Sequence, residues 1–421
     1  MTGLRPETPR QTGTALVVLG VLLLVSSLVV SAALAPNVGA TDDTADGARQ
    51  TLVGSQGGGP GLHEKGSVYL LEGKETQWRA GETDSYFDVT MLDNGSVLAG
   101  FMDSGYEECG PYESPCTHTG FRVLEPTDDG VEIVSEHSFP VRTRVNSEVH
   151  DVELLDSGEF LVTDMEYERI YTVKNGEITW QWNASSMYEA PDDPTKTDWL
   201  HINDVDVISE GRYLVSVRNA HQLVVVERGE GVVEVINKDE NGDGRGDPEL
   251  LRQQHNPQWL GDGAVLVADS HNDRIVELHR NESTGEWEAA WALYEAEGVQ
   301  FSWPRDADRL DNGNTLITDS LNQRVVEVNE SGETVWSYKT PLVPYEAERL
   351  PEGERTGATS YAFDDDAAVN EDRNVPVLSL ILVGLQTGLQ VPFWFTELHV
   401  AISLVSLGMV LAGVVLVVRD R

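Results

Sequence analysis

Three histidines stand at the start of three similar segments of the chain, and each is followed by an alternating apolar run. They are His150, His201 and His255. A neutral imidazole can attack an electrophile or carry a proton, so three imidazoles brought together would form a reactive site. No carboxylate or thiolate aligns with them to complete the first ligand shell of a metal ion. The sequence therefore predicts no metal at this place.

Amide and guanidinium side chains accompany these histidines. Asn203 follows His201 by two residues and so points to the same side of an extended strand, and Arg218 lies on the next strand. In a later unit the histidine is replaced by the segment Trp-Pro-Arg-Asp, which contains Arg305. The planar guanidinium is a multi-donor group that matches the geometry of an oxyanion. Together these side chains predict a binding site for an oxyanion such as sulfate.

The elements that must position these side chains are copies of one unit. Each unit holds four short alternating segments, separated by turn signals such as Asp-Asn-Gly and Asn-Gly. Four antiparallel strands repeated about every 50 residues are typical of a β-propeller, in which the innermost strands start at a central channel. We therefore expect the histidines to occupy one equivalent position in successive blades. Complete copies begin at Phe87, His150, His201, His255 and Pro304.

The remaining segments predict how the ring of blades closes. Residues 344–360 align with the inner half of a unit, and residues 67–78 align with an outer half. Joined, they form a sixth blade from the two ends of the domain, which leaves no exposed sheet edge. The sequence thus predicts an all-β fold, a six-bladed β-propeller over residues 66–362. A five-bladed ring with frayed ends is the alternative.

Apolar runs flank the propeller. Residues 15–35 and 398–418 are long enough to cross a bilayer, with arginines before the first run and after the second. We predict a membrane anchor at 1–36, for which a cleaved signal peptide is the alternative, and a C-terminal transmembrane helix at 397–421. By the positive-inside rule the propeller then lies outside the cell, with membrane lipid as one partner.

Three further segments connect these parts. Residues 37–65 contain the run Gly-Ser-Gln-Gly-Gly-Gly-Pro-Gly and are predicted to be a flexible linker. Residues 363–374 are an acidic linker. Residues 375–396 place polar side chains near one helical face beside Phe393, Trp394 and Phe395, which predicts a helix lying in the membrane interface.

The chain of 421 residues carries 71 acidic and 29 basic side chains, a net charge of −42. This charge repels phosphate backbones and excludes nucleic acid as a partner. The acidic residues are spread through every segment, which indicates a halophilic protein, because concentrated salt screens such repulsion. The two cysteines, Cys109 and Cys116, are close enough in sequence to close a small loop by a disulfide in an oxidising compartment. Two free thiols are the alternative.

One loop matches the opening of a calcium-binding loop. Asp239, Asn241 and Asp243 occupy its first ligand positions, whereas Leu250 stands where a bidentate glutamate is required. In so acidic a chain we favour a solvated loop, and a structural calcium ion is the alternative.

The propeller units and the polar residues in combination resemble one enzyme family, the arylsulfotransferases, over most of residues 86–338. The resemblance is carried by the His-x-Asn of His201 and Asn203, the Ser-x-Arg-Asn of Arg218 and the Gln-His of His255. Members of that family are six-bladed propellers that pass a sulfuryl group between phenolic compounds through a sulfo-histidine intermediate.

The resemblance implies a role for each residue. His255 is the nucleophile, and His150 completes the pocket and assists proton transfer. The sulfuryl oxygens are bound by His201, Asn203 and Arg218. The implied partners are an aryl sulfate and a phenol, and no cofactor is required. From the residues alone, Arg305 is predicted to be a further oxyanion ligand, and an ordinary surface arginine is the alternative. The alternative function is a non-catalytic, surface-anchored propeller that binds a small anion, a glycan or a protein.

Overall fold

The computed structural model describes residues 8–39, 49–362, 368–389 and 391–420. These residues belong to two compact units. One unit is Val38–Glu371, and the other combines both ends of the chain, Met1–Asn37 and Asp372–Arg421. The first unit consists of β-strands and turns, and the second is helical.

The larger unit is a six-bladed β-propeller, as predicted, and each blade is a four-stranded antiparallel sheet. The first strands along the chain are β1 (Gln50–Gly57), β2 (Gly66–Glu72) and β3 (Glu75–Thr83). Blade 1 consists of β4 (Ser85–Met91), β5 (Val97–Tyr106), β6 (Cys116–Thr127) and β7 (Gly130–Val141). Blade 2 consists of β8 (Val152–Leu154), β9 (Phe160–Asp164), β10 (Arg169–Lys174) and β11 (Glu177–Asn183).

The next blades follow in chain order. Blade 3 consists of β12 (Ile202–Ser209), β13 (Arg212–Val217), β14 (Gln222–Glu227) and β15 (Gly231–Ile236). Blade 4 consists of β16 (His255–Gly261), β17 (Ala264–Asp269), β18 (Arg274–Arg280) and β19 (Trp287–Leu293). A small hairpin of β20 (Glu295–Ala296) and β21 (Val299–Gln300) precedes blade 5, which consists of β22 (Pro304–Arg309), β23 (Thr315–Asp319), β24 (Arg324–Val328) and β25 (Thr334–Lys339). The last strand is β26 (Val343–Leu350).

The core of the propeller lies between adjacent blades. Strand β14 shows how the sequence produces it, because its apolar run is buried on both faces of the sheet. Val224 and Val226 pack into the cluster that includes Leu161 of blade 2, whereas Val225 packs into the cluster that includes Trp259 of blade 4. Alternate residues of one strand thus join two neighbouring blades.

Blade 6 closes the ring with strands from both ends of the propeller, in the order β26, β1, β2, β3. Strand β1 pairs antiparallel with β26, so that Leu52 faces Glu348 and Val53 faces Ala347. A shared sixth blade is therefore confirmed, but the predicted division was wrong. The C-terminal end contributes one strand and the N-terminal end contributes three.

The predicted flexible linker at 37–65 was also wrong in part, because it contains strand β1. Glycine in this segment lets its backbone come close to the backbone of a neighbouring blade. A Cβ on Gly54 would stand 2.2 Å from the carbonyl oxygen of Phe87 in blade 1. Glycine is thus required where β1 passes the neighbouring blade, and the run is not a tether. Residues 40–48 of the predicted linker lie outside the described residues.

The terminal unit contains α1 (Pro9–Leu34), α2 (Pro376–Leu389) and α3 (Glu397–Arg419). Helices α1 and α3 are long and apolar enough to cross a membrane. They pack antiparallel, since Arg10 near the start of α1 donates its backbone N–H to Asp420 after the end of α3 at 3.2 Å. A Cβ on Gly13 would stand 2.6 Å from the carbonyl oxygen of Gly413, so glycine permits this close approach.

Two linking segments complete the description. Helix α2 occupies only the first part of the segment 375–396, for which an interfacial helix was predicted, and Phe393, Trp394 and Phe395 lie after its end. The depth of α2 in a membrane stays a prediction. Of the acidic linker at 363–374, residues 363–367 lie outside the described residues. Val369, just after them, donates its backbone N–H to Ala292 of β19 at 2.8 Å.

Candidate active site

Hydrogen bonds from one blade to the next align the innermost strands around the channel. An acidic side chain in one blade accepts the backbone N–H of the next blade, and the pairs are Asp88 with Val152, Asp151 with Val205 and Asp306 with Ala347. Two residues further along each strand, Asp206 accepts the backbone N–H of Trp259 and Gln258 accepts that of Arg309. These bonds fix the register of blade 4.

This register defines two rings of equivalent residues. We call the first the pocket ring: Phe87, His150, Asn203, His255, Arg305 and Tyr345. We call the second, formed by the residue that follows each member, the acidic ring: Asp88, Asp151, Asp204, Asn256, Asp306 and Glu346. Members of the pocket ring meet at the axis. The ring centroid of Tyr345 lies 5.4 Å from those of both Phe87 and His150 and 6.2 Å from that of His255.

The three predicted histidines converge, but they do not come from one equivalent position. His150 and His255 belong to the pocket ring, whereas the blade 3 member is Asn203. His201 lies two residues earlier, with a left-handed backbone φ of 55°. Its ring centroid is 5.1 Å from that of His150 and 6.5 Å from that of His255. The expected equivalence was wrong for His201, because Asp204 corresponds to Asp151, and Asn203 is therefore the residue in register with His150.

His255 is held in one tautomer. Its Nδ1 lies 2.8 Å from the hydroxyl oxygen of Ser270, which in turn donates its single proton to the carbonyl oxygen of Pro304 at 2.6 Å. Nδ1 must therefore carry the imidazole proton, and Nε2 keeps a free lone pair. Nε2 makes no hydrogen bond to the residues that the structure describes. Burial lowers the pKa of His255 well below its ordinary value, and the charges of Arg218 and Arg305 act in the same direction.

The other two imidazoles are each backed by a carboxylate. Nε2 of His150 hydrogen-bonds to Oε2 of Glu148, and Nδ1 of His201 lies 2.7 Å from Oδ1 of Asp198. The second oxygen of Glu148 lies 3.2 Å from Nε2 of His63. Burial opposes ionisation of Glu148, but His150 and His63 beside it lower its pKa to about 2. Burial and the Arg218 charge lower the pKa of His201 to about 4.

Two arginines complete the cationic side of the pocket. Arg218 begins the short helical turn Arg218–Ala220 after β13, and its Nη1 lies 3.4 Å from Nδ1 of His201. Arg305 lies over the rings of Trp303 and Tyr345, with Cζ at 4.4 and 5.1 Å from their centroids. Burial lowers the pKa of Arg305 to about 10, so it stays charged at neutral pH. The Nε–H groups of both arginines are buried and lack a partner within the described residues. Such groups suit an anionic ligand.

Sequence reasoning named Asn203 and missed Glu148 and Tyr345. Asn203 is fully buried, and its Nδ2 donates to the carbonyl oxygen of Gln254 at 2.9 Å. Tyr345 has a buried hydroxyl without a partner in the described parts of the chain. The sequence did contain a signal for Tyr345. The segment Pro-Tyr-Glu-Ala-Glu-Arg aligns with Pro-Arg-Asp-Ala-Asp-Arg, so Tyr345 occupies the same position of the unit as Arg305. Glu148 stands two residues before His150, where blade 3 has His201.

In the calcium-like loop, side-chain oxygens accept hydrogen bonds from backbone N–H groups of the same loop. Oδ1 of Asp239 accepts the N–H of Gly242 at 2.7 Å, and Oδ2 accepts that of Gly244 at 2.8 Å. Asn241 likewise accepts the N–H of Asp243 at 3.1 Å. The solvated loop stays the prediction, and a calcium ion at Asp239, Asn241 and Asp243 stays the alternative.

No family model and no curated protein matches the chain. Solved structures match it at low identity. A protein of unknown function from Bacteroides caccae is 16% identical over 72% of this chain and 99% of that one, with a TM-score of 0.49. The periplasmic gluconolactonase of Pseudomonas aeruginosa is 12% identical over 72% and 98%, with a TM-score of 0.44. The virginiamycin B lyase of Staphylococcus aureus is 13% identical over 61% and 70%, with a TM-score of 0.36. No substrate or activity follows from matches at this level.

Proposed function

We propose that this propeller is an aryl sulfotransferase, which moves a sulfuryl group from an aryl sulfate to a phenol through a sulfo-histidine intermediate on His255. The observation that carries the proposal is the state of this imidazole. Its Nδ1 proton is engaged through Ser270, its Nε2 lone pair is free, and the charges of Arg218 and Arg305 act on it. This arrangement keeps the nucleophile neutral beside groups that attract an anion.

In the first half-reaction, Nε2 of His255 attacks the sulfur atom of the donor. The S–N bond forms while the S–O bond to the aryl group breaks, and the aryl oxygen leaves with the bonding electrons as a phenolate. Negative charge on the sulfuryl oxygens is met by Arg218 and Arg305, whose unpartnered Nε–H groups are already buried in the pocket. Fixed donors in a buried site stabilise such a transition state because they need no reorganisation.

In the second half-reaction, the oxygen of the acceptor phenol attacks the same sulfur atom. The S–N bond breaks and its electrons return to Nε2 of His255, which regenerates the free imidazole. The phenol proton passes to Nδ1 of His150, an atom that is buried and has no partner among the described residues, and from there to the phenolate that leaves in the next first half-reaction. Glu148 on the opposite nitrogen stabilises the imidazolium that forms.

His201 and Asn203 complete the proposed site. Asp198 holds His201 beside Arg218, where it lines the space for the sulfuryl oxygens. Asn203 donates a hydrogen bond to the carbonyl oxygen of Gln254, the residue before the nucleophile. In this proposal Asn203 therefore both lines the site and holds the backbone next to His255 in place.

An outward-facing, membrane-anchored location fits this function. The two apolar helices are long enough to anchor the chain, and their antiparallel packing puts the start of α1 and the end of α3 at the same end of the pair. The propeller contains a disulfide between Cys109 and Cys116, which supports an oxidising compartment. The partners in this proposal are an aryl sulfate, a phenol and membrane lipid.

The test is direct detection of the intermediate. Purified full-length protein in concentrated potassium chloride is incubated with a chromogenic aryl sulfate and no acceptor, and its intact mass is measured. We expect wild type to gain one SO₃ group and His255→Ala to gain none. His137→Gln, a change on the outer strand β7, is the matched control and should react as wild type does. Absence of the adduct in wild type, or its persistence in His255→Ala, would overturn the proposal, and sulfate binding without transfer would favour a binding propeller.

A further inference from the structure

A carboxylate lies in the pocket where an anion is proposed to bind. Glu148 is buried between two imidazoles, hydrogen-bonded to His150 and 3.2 Å from Nε2 of His63. One ligand atom from each of Glu148, His150 and His201 lies within 4.8 Å of the others. Among the described residues, no other group of three histidine, cysteine, aspartate or glutamate side chains comes so close.

The distances suit a small divalent cation. Zinc binds imidazole nitrogen and carboxylate oxygen with bonds of about 2.0–2.2 Å, so its ligand atoms stand roughly 3.4 Å apart. Three atoms that lie within 4.8 Å of one another reach that spacing if each moves by less than about 1 Å. Side-chain adjustment is enough for such a movement.

The surroundings of the two histidines are those of metal ligands. Asp198 engages Nδ1 of His201 at 2.7 Å, which leaves Nε2 free and fixes the orientation of the ring. Carboxylate partners of this kind are a regular feature of metal-bound histidines. His150 and Glu148 already share a hydrogen bond through Nε2 and Oε2, and an ion that replaces the proton between them takes both atoms as ligands while Nδ1 carries the ring proton.

The carboxylates of the pocket balance the charges of its arginines. Arg218 and Arg305 contribute two positive charges, and Glu148 and Asp198 contribute two negative charges, so the formal charge is zero when the imidazoles are neutral. A divalent ion beside Glu148 would make the pocket positive and remove the repulsion between that carboxylate and an anionic substrate.

We infer that Glu148, His150 and His201 form a binding site for a divalent transition-metal ion of the zinc type. Three protein ligands leave a fourth position for water or for an oxygen of an anionic or phenolic ligand. With the ion bound, the oxyanion contact assigned to His201 is made through the ion, and His150 no longer accepts the phenol proton. The metal-bound pocket and the metal-free transfer site are therefore alternative states of the same residues. The site goes beyond the proposed transfer reaction, because metal binding requires neither His255 nor an aryl sulfate.

The test measures metal retention in the full-length protein. Chelator-treated protein is loaded with Zn²⁺ or Co²⁺ and desalted, and bound metal is measured by mass spectrometry and, for Co²⁺, by visible absorption. We expect one Zn²⁺ per chain and the intense visible bands of four-coordinate Co²⁺. Glu148→Gln and His201→Gln should weaken binding at least tenfold, and Asp198→Asn should weaken it by about 10- to 100-fold through the orientation of His201.

Asp129→Asn is the matched control, because it removes an exposed carboxylate from the turn between β6 and β7 and should leave retention unchanged. Far-ultraviolet circular dichroism checks that each variant is folded. If a variant does not fold, the Co²⁺ spectrum of wild type decides, since six-coordinate or absent bands would overturn the proposal. Equal retention by wild type and folded Glu148→Gln would overturn it as well. Sulfation of His255, tested separately in chelator-treated protein, can fail or succeed independently of this result.

Discussion

The pocket ring and the acidic ring differ by one residue along each innermost strand, yet they have opposite properties. In the acidic ring, Asp88, Asp151 and Asp306 do the same structural work, since each accepts a backbone N–H from the next blade. In the pocket ring, no such bond repeats. Its polar atoms, such as the hydroxyl of Tyr345 and Nε–H of Arg305, remain without partners in the described structure. A position whose residue type repeats around a propeller therefore holds the ring together, and a position whose type varies is available for chemistry.

The electrostatics of the two rings also differ. Burial raises the pKa of Asp88 to about 7, and burial raises that of Asp306 to about 7 as well. In the pocket ring, burial together with Arg218 and Arg305 lowers the pKa of His255. The two aspartates and His255 are thus shifted toward their neutral forms, whereas Arg305 stays charged. In the acidic ring the neutral form avoids repulsion, and in the pocket ring it provides a nucleophile.

The largest expected effect comes from changing adjacent members of the two rings. Arg305→Gln removes a charge that the proposed transition state needs, so we expect the transfer rate to fall by about 100-fold or more. Asp306→Asn keeps an oxygen that can accept the N–H of Ala347, and the rate should stay within about threefold of wild type. Turnover of a chromogenic aryl sulfate with a phenol acceptor measures both. Equal losses in the two variants would contradict the functional division between the rings.

The acidic ring should make stability depend on pH. The pKa of Asp88 is raised to about 7 in the folded protein and is about 4 in the unfolded chain. The folded state therefore binds the proton more tightly, and its stability falls as pH rises from about 4 to about 7. Asp88→Asn removes this loss. We expect its free energy of unfolding at pH 8 to exceed that of wild type by on the order of 2 kcal/mol, with no gain at pH 4.

Thermal or denaturant unfolding in concentrated salt at both pH values measures the effect. Asp243→Asn, which changes an exposed loop carboxylate, is the control for the general reduction in negative charge. A gain of equal size at pH 4 and pH 8 would show that the buried carboxylate is not the cause.

The fold could be predicted from the sequence because each blade repeats its own turn and strand signals. The same local pattern occurs several times along the chain, so a wrong assignment within one unit does not change the predicted number of blades. The predictions that were wrong concerned contacts between segments that are distant in sequence. The run around Gly54 reads as a tether, and only the approach of the Phe87 carbonyl shows why strand β1 needs glycine there.

The site residues could be predicted where they occupy equivalent positions in the repeated units. His150, His255 and Arg305 are found by aligning the units. Glu148 was missed because its importance lies in contacts with His150 and with His63. Residue His63 is far away in sequence and outside the aligned units. Spatial pairs of this kind leave no local pattern.

A smaller effect tests the exception within the acidic ring. Asp204 has a buried Oδ2 with no partner among the described residues, and Pro257 stands where the equivalent Val205 and Ala347 donate an N–H. Proline has no such donor. Pro257→Val should restore the bond and raise the free energy of unfolding by about 1 kcal/mol, after the entropic cost of removing a proline. The gain should vanish when Asp204→Ala is also present, and if it persists there, the missing bond is not the explanation.

The smallest expected effect is a change in the pH profile of the first half-reaction. Burial, Arg218 and Arg305 lower the pKa of His255, so the imidazole should remain unprotonated and reactive in mild acid. In wild type we therefore expect the rate of sulfo-enzyme formation at pH 5 to stay close to the rate at pH 7. Arg305→Gln removes one of the charges that lower this pKa, so its acid limb should move to higher pH and its ratio of rates at pH 5 and pH 7 should fall. Rapid-quench measurement of the adduct gives the ratio independently of the overall loss of rate. Identical normalised profiles would mean that Arg305 acts on the substrate alone and has no influence on the nucleophile.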